Sequence, residues 1–256
     1  RAIRAAHQRG IPMLLLGNGS NLLVDDAGFD GLVIHFGEAF AQITLEGNVL
    51  TAQAGASLMA LSRLSMEHSL AGLEFAAGIP ASLGGAALMN AGAYGGEMAH
   101  IVRFVDCLDK QGRPVRLPVK DIGYGYRSSL MMHEGYTVLS VCMELKPGDG
   151  EAIRYCVQEN QRHRREKQPL TYPSAGSFFK RPPGYFAGAL IEQAGLKGSR
   201  VGAAQVSELH AGFLINLGGA TAQDFLGLVA HVQHTVEQMS GVRLEPEVRI
   251  IRRQAT

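Results

Sequence analysis

The sequence predicts an α+β protein, and three observations carry that prediction. The chain opens with a helix–strand–loop–strand unit, continues through short β-rich runs, and closes with a long amphipathic helix followed by an alternating strand. Its 256 residues suffice for one large domain or roughly two to three small ones. A composition of 46% hydrophobic and 18% charged residues is enough to bury a core. The net charge of +1 gives no bulk attraction to nucleic acid or to an anionic membrane. No apolar run approaches the ~20 residues that span a bilayer. Cys107, Cys142 and Cys156 are widely spaced and odd in number, which fits free thiols in a reducing, cytoplasmic setting. Gly accounts for 32 of 256 residues, above the ~7% average, and lies among Ala, Leu and Asn instead of in linkers. Backbone that must pass close to something is the expectation.

In chain order, "RAIRAAHQRG" reads as the last turns of a helix closed by Gly10. It lacks an N-cap and an initiating Met, so the chain is expected to begin inside a helix and to lack what came before it. "IPMLLLG" and "GLVIHF" are short strands joined by the turn-rich "NGSNLLVDDAGFD". "AQITLEGNVLTAQAG" is a hairpin around Gly47-Asn48, and Ser57 caps a helix reaching about Ser69. The stretch 72–96 holds seven glycines and no long period. "IVRFVDCLD", "PVRLP" and "YTVLSVCMEL" are strands. Asp149 caps a helix that runs into "RHRREK" and stops before Pro169, and "FAGALIEQAG" is a short helix ending at Gly195. Thr221 and Asp224 form a capping box, followed by the apolar stripe Phe225, Leu228, Val229, Val232, Val236 and Met239, with Gly241 as the stop. In "VRLEPEVRII" one continuous strand is expected, with Arg243, Glu245, Glu247 and Arg249 on one face.

Several constellations can carry chemistry. "LGNGSNLLV" half-matches the dinucleotide fingerprint: Gly17 and Gly19 fit, but Leu22 stands where the third glycine belongs. Its glycines still permit close backbone approach, and Ser20 and Asn21 offer polar contacts to an anion. An ordinary strand-end turn explains it equally well. The glycine-rich stretch is long for a connection without structure, and Gly78, Gly84, Gly85, Gly92, Gly95 and Gly96 free backbone to surround a pyrophosphate or a flat ring. Close helix packing by small residues is the alternative. No Lys-Ser/Thr follows, so this is not a Walker loop. "YGYRSSL" sets Arg127 among tyrosines and serines, either as a solvated charge or as a bidentate grip on a carboxylate. Glu247 and Arg249 share a strand face, which alone is best read as an exposed ion-pair ladder. "PSAGSFFKRP" fails as a hydrolase elbow because residue 179 is Phe where Gly is required. The run 162–167 reads as a solvated helix end or an anion contact, with Lys167 nearest the next turn. The histidines form no zinc pattern, and His231 and His234 lie off the apolar stripe.

Taken in order, "LGNGSNLLV", "GIPASLGGAALMNAGAYGGE", "YGYRSSL", "SAGSFFKRP", "GLKGSRVGAAQVSELHAGFLIN" and "LEPEVRII" closely resemble the UDP-N-acetylenolpyruvoylglucosamine reductase family. The resemblance covers almost the whole chain. It implies a flavin-binding fold of the vanillyl-alcohol-oxidase type: two subdomains clasping FAD and a third, α+β, covering the sugar nucleotide. The corresponding boundaries are 1–48 completed by 242–256, then 49–168, then 169–241. The compact stretch from Phe186 to Leu217 resembles the short form of the family, without its extra tyrosine loop. The family activity is NADPH-dependent, FAD-mediated reduction of an enolpyruvyl sugar nucleotide in peptidoglycan precursor synthesis, hence in cell-wall biogenesis, cell shape and division. FAD is expected to be non-covalent and the protein a cytoplasmic monomer.

The resemblance also assigns residues. Arg127 and Glu247 match positions that hold and polarise the substrate carboxylate, where Glu247 is expected to be protonated or hydrogen-bonded. Ser177 matches the donor of a proton to carbon, with Phe178 and Phe179 excluding water. Gly17, Asn18, Gly19, Ser20, Asn21, Leu22, Gly78, Ile79, Pro80, Gly84, Gly85, Asn90, Gly92 and Ala93 match cofactor positions. Tyr126, Lys167, Lys180, Arg181, Lys197, His210 and Arg249 match substrate contacts, and no metal is expected. A related FAD oxidase would share the glycine loops without needing Arg127, Ser177 and Glu247, and a non-catalytic sugar-nucleotide binder would keep only the substrate contacts.

Overall fold

A computed structural model describes residues 1–253 as two compact units. The first joins Arg1–Asn18 to Gly31–His163, and the second joins Gly19–Asp30 to the chain from Arg164 onward. The architecture is α+β in both.

In the first unit the helix Ala2–Gln8 buries Ile3 and Ala6, and Gly10 closes it at φ 63. Strands Met13–Leu16 and Leu32–His35 then pair in parallel, as a crossover connection requires. The main sheet has five antiparallel strands in the spatial order Pro114–Pro118, Val102–Leu108, Thr137–Glu144, Val49–Gln53 and Ile43–Glu46. The boundary expected at residue 48 falls inside the hairpin of the last two strands, which are neighbours in this one sheet. One core gathers Leu50, Ala52, Val105 and Val141 from the sheet, Leu58 and Leu61 from the helix Leu58–Glu67, and Leu83, Ala86 and Ala87 from the short helix Leu83–Leu88. Ser57 Oγ accepts from Ala60 N–H and starts the longer of these helices. The helix Gly150–Lys167 turns Ile153, Val157 and Asn160 inward.

The second unit holds a four-stranded antiparallel sheet, ordered Ser174–Ser177, Phe213–Asn216, Ala204–Val206 and Arg200–Val201. The helix Ala222–Ser240 begins with the expected capping box and ends at Gly241 in the left-handed region. Its stripe buries Phe225, Leu228, Val229, Val232 and Val236, but Met239 is 65% exposed because the last turn runs past the core. The closing segment is not the single strand that alternation suggests. Pro246, which lacks an N–H, bridges Phe179, and only Arg249–Ile251 forms a regular strand, parallel to Leu22–Val24. The alternation survives in burial: Leu244 and Val248 are inside while Glu245 and Arg249 are exposed. Residues 254–256 of the expected C-terminal segment lie outside the described residues. Among the described residues no helix is long and apolar enough to cross a membrane.

Candidate active site

Arg127 stands on a two-residue turn. Gly125 N–H donates to Ser128 O at 3.0 Å and Ser128 N–H returns a bond to Gly125 O at 3.2 Å, leaving Tyr126 and Arg127 at the tip. Arg127 adopts φ 52, a left-handed conformation that is unfavourable for a side chain with a Cβ. Its Nη2 donates to Gly92 O at 3.0 Å, and its Cζ lies 5.0 Å from the centroid of the Tyr126 ring. The next residues anchor the turn: Ser129 Oγ donates to Leu88 O at 2.6 Å and accepts from Met132 N–H at 3.2 Å, capping a short helix. Tyr124 is different in character. Its phenol oxygen is buried without a hydrogen-bond partner, and burial pushes its pKa up.

The two glycine loops meet in this unit. Asn18 Nδ2 donates to Pro80 O at 3.2 Å, and Gly17 faces Ser82 so closely that a Cβ at 17 would collide with its hydroxyl. Gly78 takes φ 83 just before this contact. For Gly84 the close-packing reading holds. Its N–H donates to Ala54 O at 2.8 Å, and a Cβ there would sit 2.8 Å from that of Ala54. Gly85, by contrast, is exposed, and a Cβ there would meet nothing closer than 3.6 Å. The exposed residues Asn18, Pro80 and Gly85, the last with no side chain over its backbone, suit a flat ring and an anionic pyrophosphate. The residues present therefore fit FAD. Ile79, Gly92 and Ala93 lie on the same connected stretch, and Gly92–Ala93 forms a two-residue strand.

Ser177 and Glu247, far apart in sequence, lie on adjacent backbone segments in the second unit. Glu247 N–H donates to Phe178 O at 2.8 Å, and Lys180 N–H donates to Glu245 O at 2.8 Å, so 178–180 and 245–247 run side by side. Ser177 is exposed at the end of its strand, after a register shift at Gly176, which takes φ 82. Phe178 and Phe179 are 1% and 3% exposed. They are core anchors that fix the backbone next to Ser177. Asn21 braces the other strand: its Nδ2 donates to Glu247 O at 3.2 Å, and its own carbonyl accepts from Arg249 N–H at 3.0 Å. Gly19, Ser20 and Leu22 belong to this same segment, and Leu22 opens the strand paired with Arg249–Ile251.

The candidate substrate cations are dispersed over the second unit. Lys180 Nζ lies 3.3 Å from Glu245, and Lys197 Nζ lies 2.6 Å from Glu192. Arg181 Cζ sits 4.0 Å above the Phe186 ring. Lys167 is exposed at the end of its helix, and Arg249 is exposed on the closing strand. His210 is the most constrained. Its Nδ1 accepts from Gly212 N–H at 3.0 Å, and its ring meets Phe213 edge-on at 5.0 Å. A Cβ at Gly212 would come within 3.0 Å of that ring. Burial lowers its pKa, with Lys197 adding to the effect. A neutral imidazole accepting at Nδ1 carries its proton on Nε2, which makes it a fixed donor.

Asn21 and Asn90 show what the sequence could not assign. Both match cofactor positions, yet their side-chain amides bind the chain itself. Asn90 is 1% exposed and spends its Nδ2 on Gly125 O and its Oδ1 on Ala99 N–H, at 3.1 and 2.9 Å. The legible signal was Asn in a glycine-flanked stretch, since Asn tolerates the left-handed region and Asn90 takes φ 48.

Comparison with known proteins bears on this geometry. Residues 1–118 match a model described as an FAD binding domain, and residues 168–251 match the UDP-N-acetylenolpyruvoylglucosamine reductase C-terminal domain. A UDP-N-acetylenolpyruvoylglucosamine reductase of Clostridium perfringens is 49% identical over 98% of this chain and 82% of its own length. One from Streptococcus agalactiae is 48% identical over 98% of this chain and 83% of its own. The crystal structure of UDP-N-acetylenolpyruvylglucosamine reductase from Thermus caldophilus superposes with a TM-score of 0.83 at 37% identity, covering 97% of this chain and 89% of that one.

Proposed function

The chain belongs to the UDP-N-acetylenolpyruvoylglucosamine reductase family, and from that premise we propose that Arg127, Ser177 and Glu247 carry the electrostatic and proton-transfer work of its reaction. The protein is an FAD-dependent oxidoreductase that reduces UDP-N-acetylglucosamine enolpyruvate in peptidoglycan precursor synthesis, with NADPH as co-substrate. FAD supplies the hydride chemistry between NADPH and the enolpyruvyl double bond. The chain's part is to hold the carboxylate, to stabilise charge as it builds there, and to return a proton to carbon.

Arg127 holds the carboxylate. A planar guanidinium meets both oxygens at once and offsets the developing enediolate charge where it appears. Glu247 shares that charge through a hydrogen bond. Ser177 Oγ–H gives the proton to the carbon beside the carboxylate. The observation that supports this assignment best is the juxtaposition of Ser177 with Glu247, carried by the Glu247 N–H bond to Phe178 O. His210, Lys197 and Arg249 suit the diphosphate and sugar end of the substrate, with His210 as an Nε2–H donor. Gly17, Asn18 and 78–85 hold FAD non-covalently, mainly through backbone, and 169–241 forms the main substrate-binding part. We also place the protein in the cytoplasm as a monomer. Its three free thiols support a reducing setting, and sedimentation at working concentration, by analytical ultracentrifugation, tests the monomer.

Ser177→Ala is the decisive variant. It should bind FAD and be reduced by NADPH at the normal rate. Reoxidation by the enolpyruvyl substrate should fall by roughly 10²–10⁴-fold, the usual size of general acid catalysis. Rapid-mixing flavin absorbance separates the halves, and slowed reduction with untouched reoxidation would remove Ser177 from proton transfer.

A further inference from the structure

We propose that Asn90 is the positioning residue of Arg127: it fixes the turn that presents the guanidinium and acts on the reaction through that arginine. The inference rests on the assignment of Arg127 to the substrate carboxylate.

The contacts grip the turn at two points. Asn90 Nδ2 donates to the carbonyl of Gly125, the residue where the turn begins. Two positions further along the chain, where the strand Gly92–Ala93 begins, Gly92 O accepts from Arg127 Nη2. The segment 90–92 therefore holds both the base of the turn and the head of the arginine. The other end of the Asn90 amide accepts from Ala99 N–H, so the side chain is pinned in one orientation, donor toward Gly125. At 1% exposure it presents no surface to a ligand. Any influence on the reaction has to pass through what it touches.

Backbone strain points to the same place. The non-glycine residues at positive φ among those described are Ser69, Asn90, Tyr94 and Arg127; Asn90 and Arg127 fall in these two segments, at φ 48 and 52, and Tyr94 follows two positions beyond the first, at φ 50. Such conformations are held by their surroundings and cluster at functional sites. Arg127 keeps its conformation only while the ends of the turn are tied. Asn combines the two properties that position 90 needs: tolerance of the left-handed region and an amide with both donor and acceptor. Asp keeps the shape and the acceptor but, when ionised, has no donor and faces the Gly125 carbonyl with a negative oxygen. Gly keeps the backbone and loses both bonds.

A double-mutant cycle on the holoenzyme tests this. Asn90→Asp should retain FAD and be reduced by NADPH at the normal rate. Its reoxidation by the enolpyruvyl substrate should slow on the order of 10²-fold, the penalty for a misplaced reacting group. Hydrogen exchange at the Gly125 and Ser128 amides should accelerate, a readout independent of turnover. In an Arg127→Ala background the same change should cost less than about twofold, because residues acting as one unit are not additive. If the Asn90→Asp loss multiplies in full with that of Arg127→Ala, or strikes both half-reactions equally, the inference is overturned while the role of Arg127 stands. If Arg127→Ala alone turns over normally, the role of Arg127 fails and the inference falls with it. Asn90→Gly guards against a folding artefact: it should reproduce the selective reoxidation defect. Loss of fold or of flavin in both variants would make Asn90 a structural residue and overturn the proposal.

Discussion

Arg127 and Ser177 are presented by different physical means. Arg127 sits half-buried at φ 52 on a two-residue turn, tied by polar contacts to Gly92 and, through Gly125, to Asn90. Ser177 ends a strand and is followed at once by two phenylalanines sunk into the core with Leu190, Leu214 and Leu228. A strained turn can be moved without unfolding anything. A strand end welded to the core cannot. In the first unit function and stability should therefore separate under mutation, whereas in the second they should fall together.

The largest expected effect breaks the second arrangement. Phe178 is the bulkiest of the fully buried side chains among the described residues; it directly follows Ser177, and its own carbonyl accepts from Glu247 N–H. Phe178→Ala should cost about 3–5 kcal/mol of unfolding free energy, the range for deleting a buried aromatic. Chemical denaturation measures that loss, and turnover should fail in the same step because the backbone of both candidate groups shifts. A variant of normal stability would show that the core does not anchor this strand end.

Arg127→Lys sharpens the contrast from the other side. Charge is kept and the side chain is only half-buried, so stability should stay within about 1 kcal/mol of the parent. Turnover should nevertheless fall by roughly 10²-fold, since a point ammonium cannot reproduce the bidentate grip on a planar carboxylate. Steady-state kinetics beside a denaturation curve checks both halves. Near-normal turnover would return Arg127 to the role of a solvated charge.

The same contrast explains what was legible in the sequence. The bounds of the second unit's long helix could be read off, because a capping box, an apolar stripe and a terminal glycine agree with one another, with Met239 the one stripe residue left exposed. So could the hairpin at Gly47-Asn48 and the strands Val102–Leu108 and Thr137–Glu144, whose periods are clear. The stretch 72–96 could not. It contains the helix Leu83–Leu88, but "LGGAAL" has two glycines in six residues, and tertiary contacts to Ala54 and Ala56 override that weak propensity. The last segment misled through its alternation, which reports burial faithfully but is silent on which partner each half takes. Pro246 divides it, pairing 245–247 with 178–180 and Arg249–Ile251 with Leu22–Val24. The candidate roles of Arg127, Ser177 and Glu247 come from a motif resemblance alone. Asn90's contact with Gly125 spans 35 positions and leaves no local trace.

The smallest expected effect concerns the cap of the helix whose stripe supports the Phe178 core. Thr221 Oγ1 accepts from Asp224 N–H at 3.0 Å, and Asp224 Oδ2 accepts from Thr221 N–H at 3.0 Å. Asp224 also accepts from Ala203 N–H at 3.5 Å, and its carboxylate lies so close to Gly202 that no Cβ fits there. Thr221→Ala should cost about 1 kcal/mol, the usual size of a lost N-cap. The carboxylate adds a pH dependence. The Thr221 backbone N–H, ahead of Ala203 N–H and the Thr221 hydroxyl, lowers the Asp224 pKa below its ordinary value. A depressed folded-state pKa means that the unfolded chain takes up the proton first. The contribution of Asp224 is therefore present above the pKa of an unfolded aspartate and fades as pH falls through the lower folded value. Asp224→Asn keeps an acceptor oxygen and removes the charge, so its stability deficit against the parent should be present at neutral pH and shrink progressively in acid. Thermal melts of the pair from pH 7 downward (roughly to pH 3, past the unfolded aspartate range) record the difference. A deficit that stays constant across that range would mean that the cap works through hydrogen-bond geometry alone, without its charge.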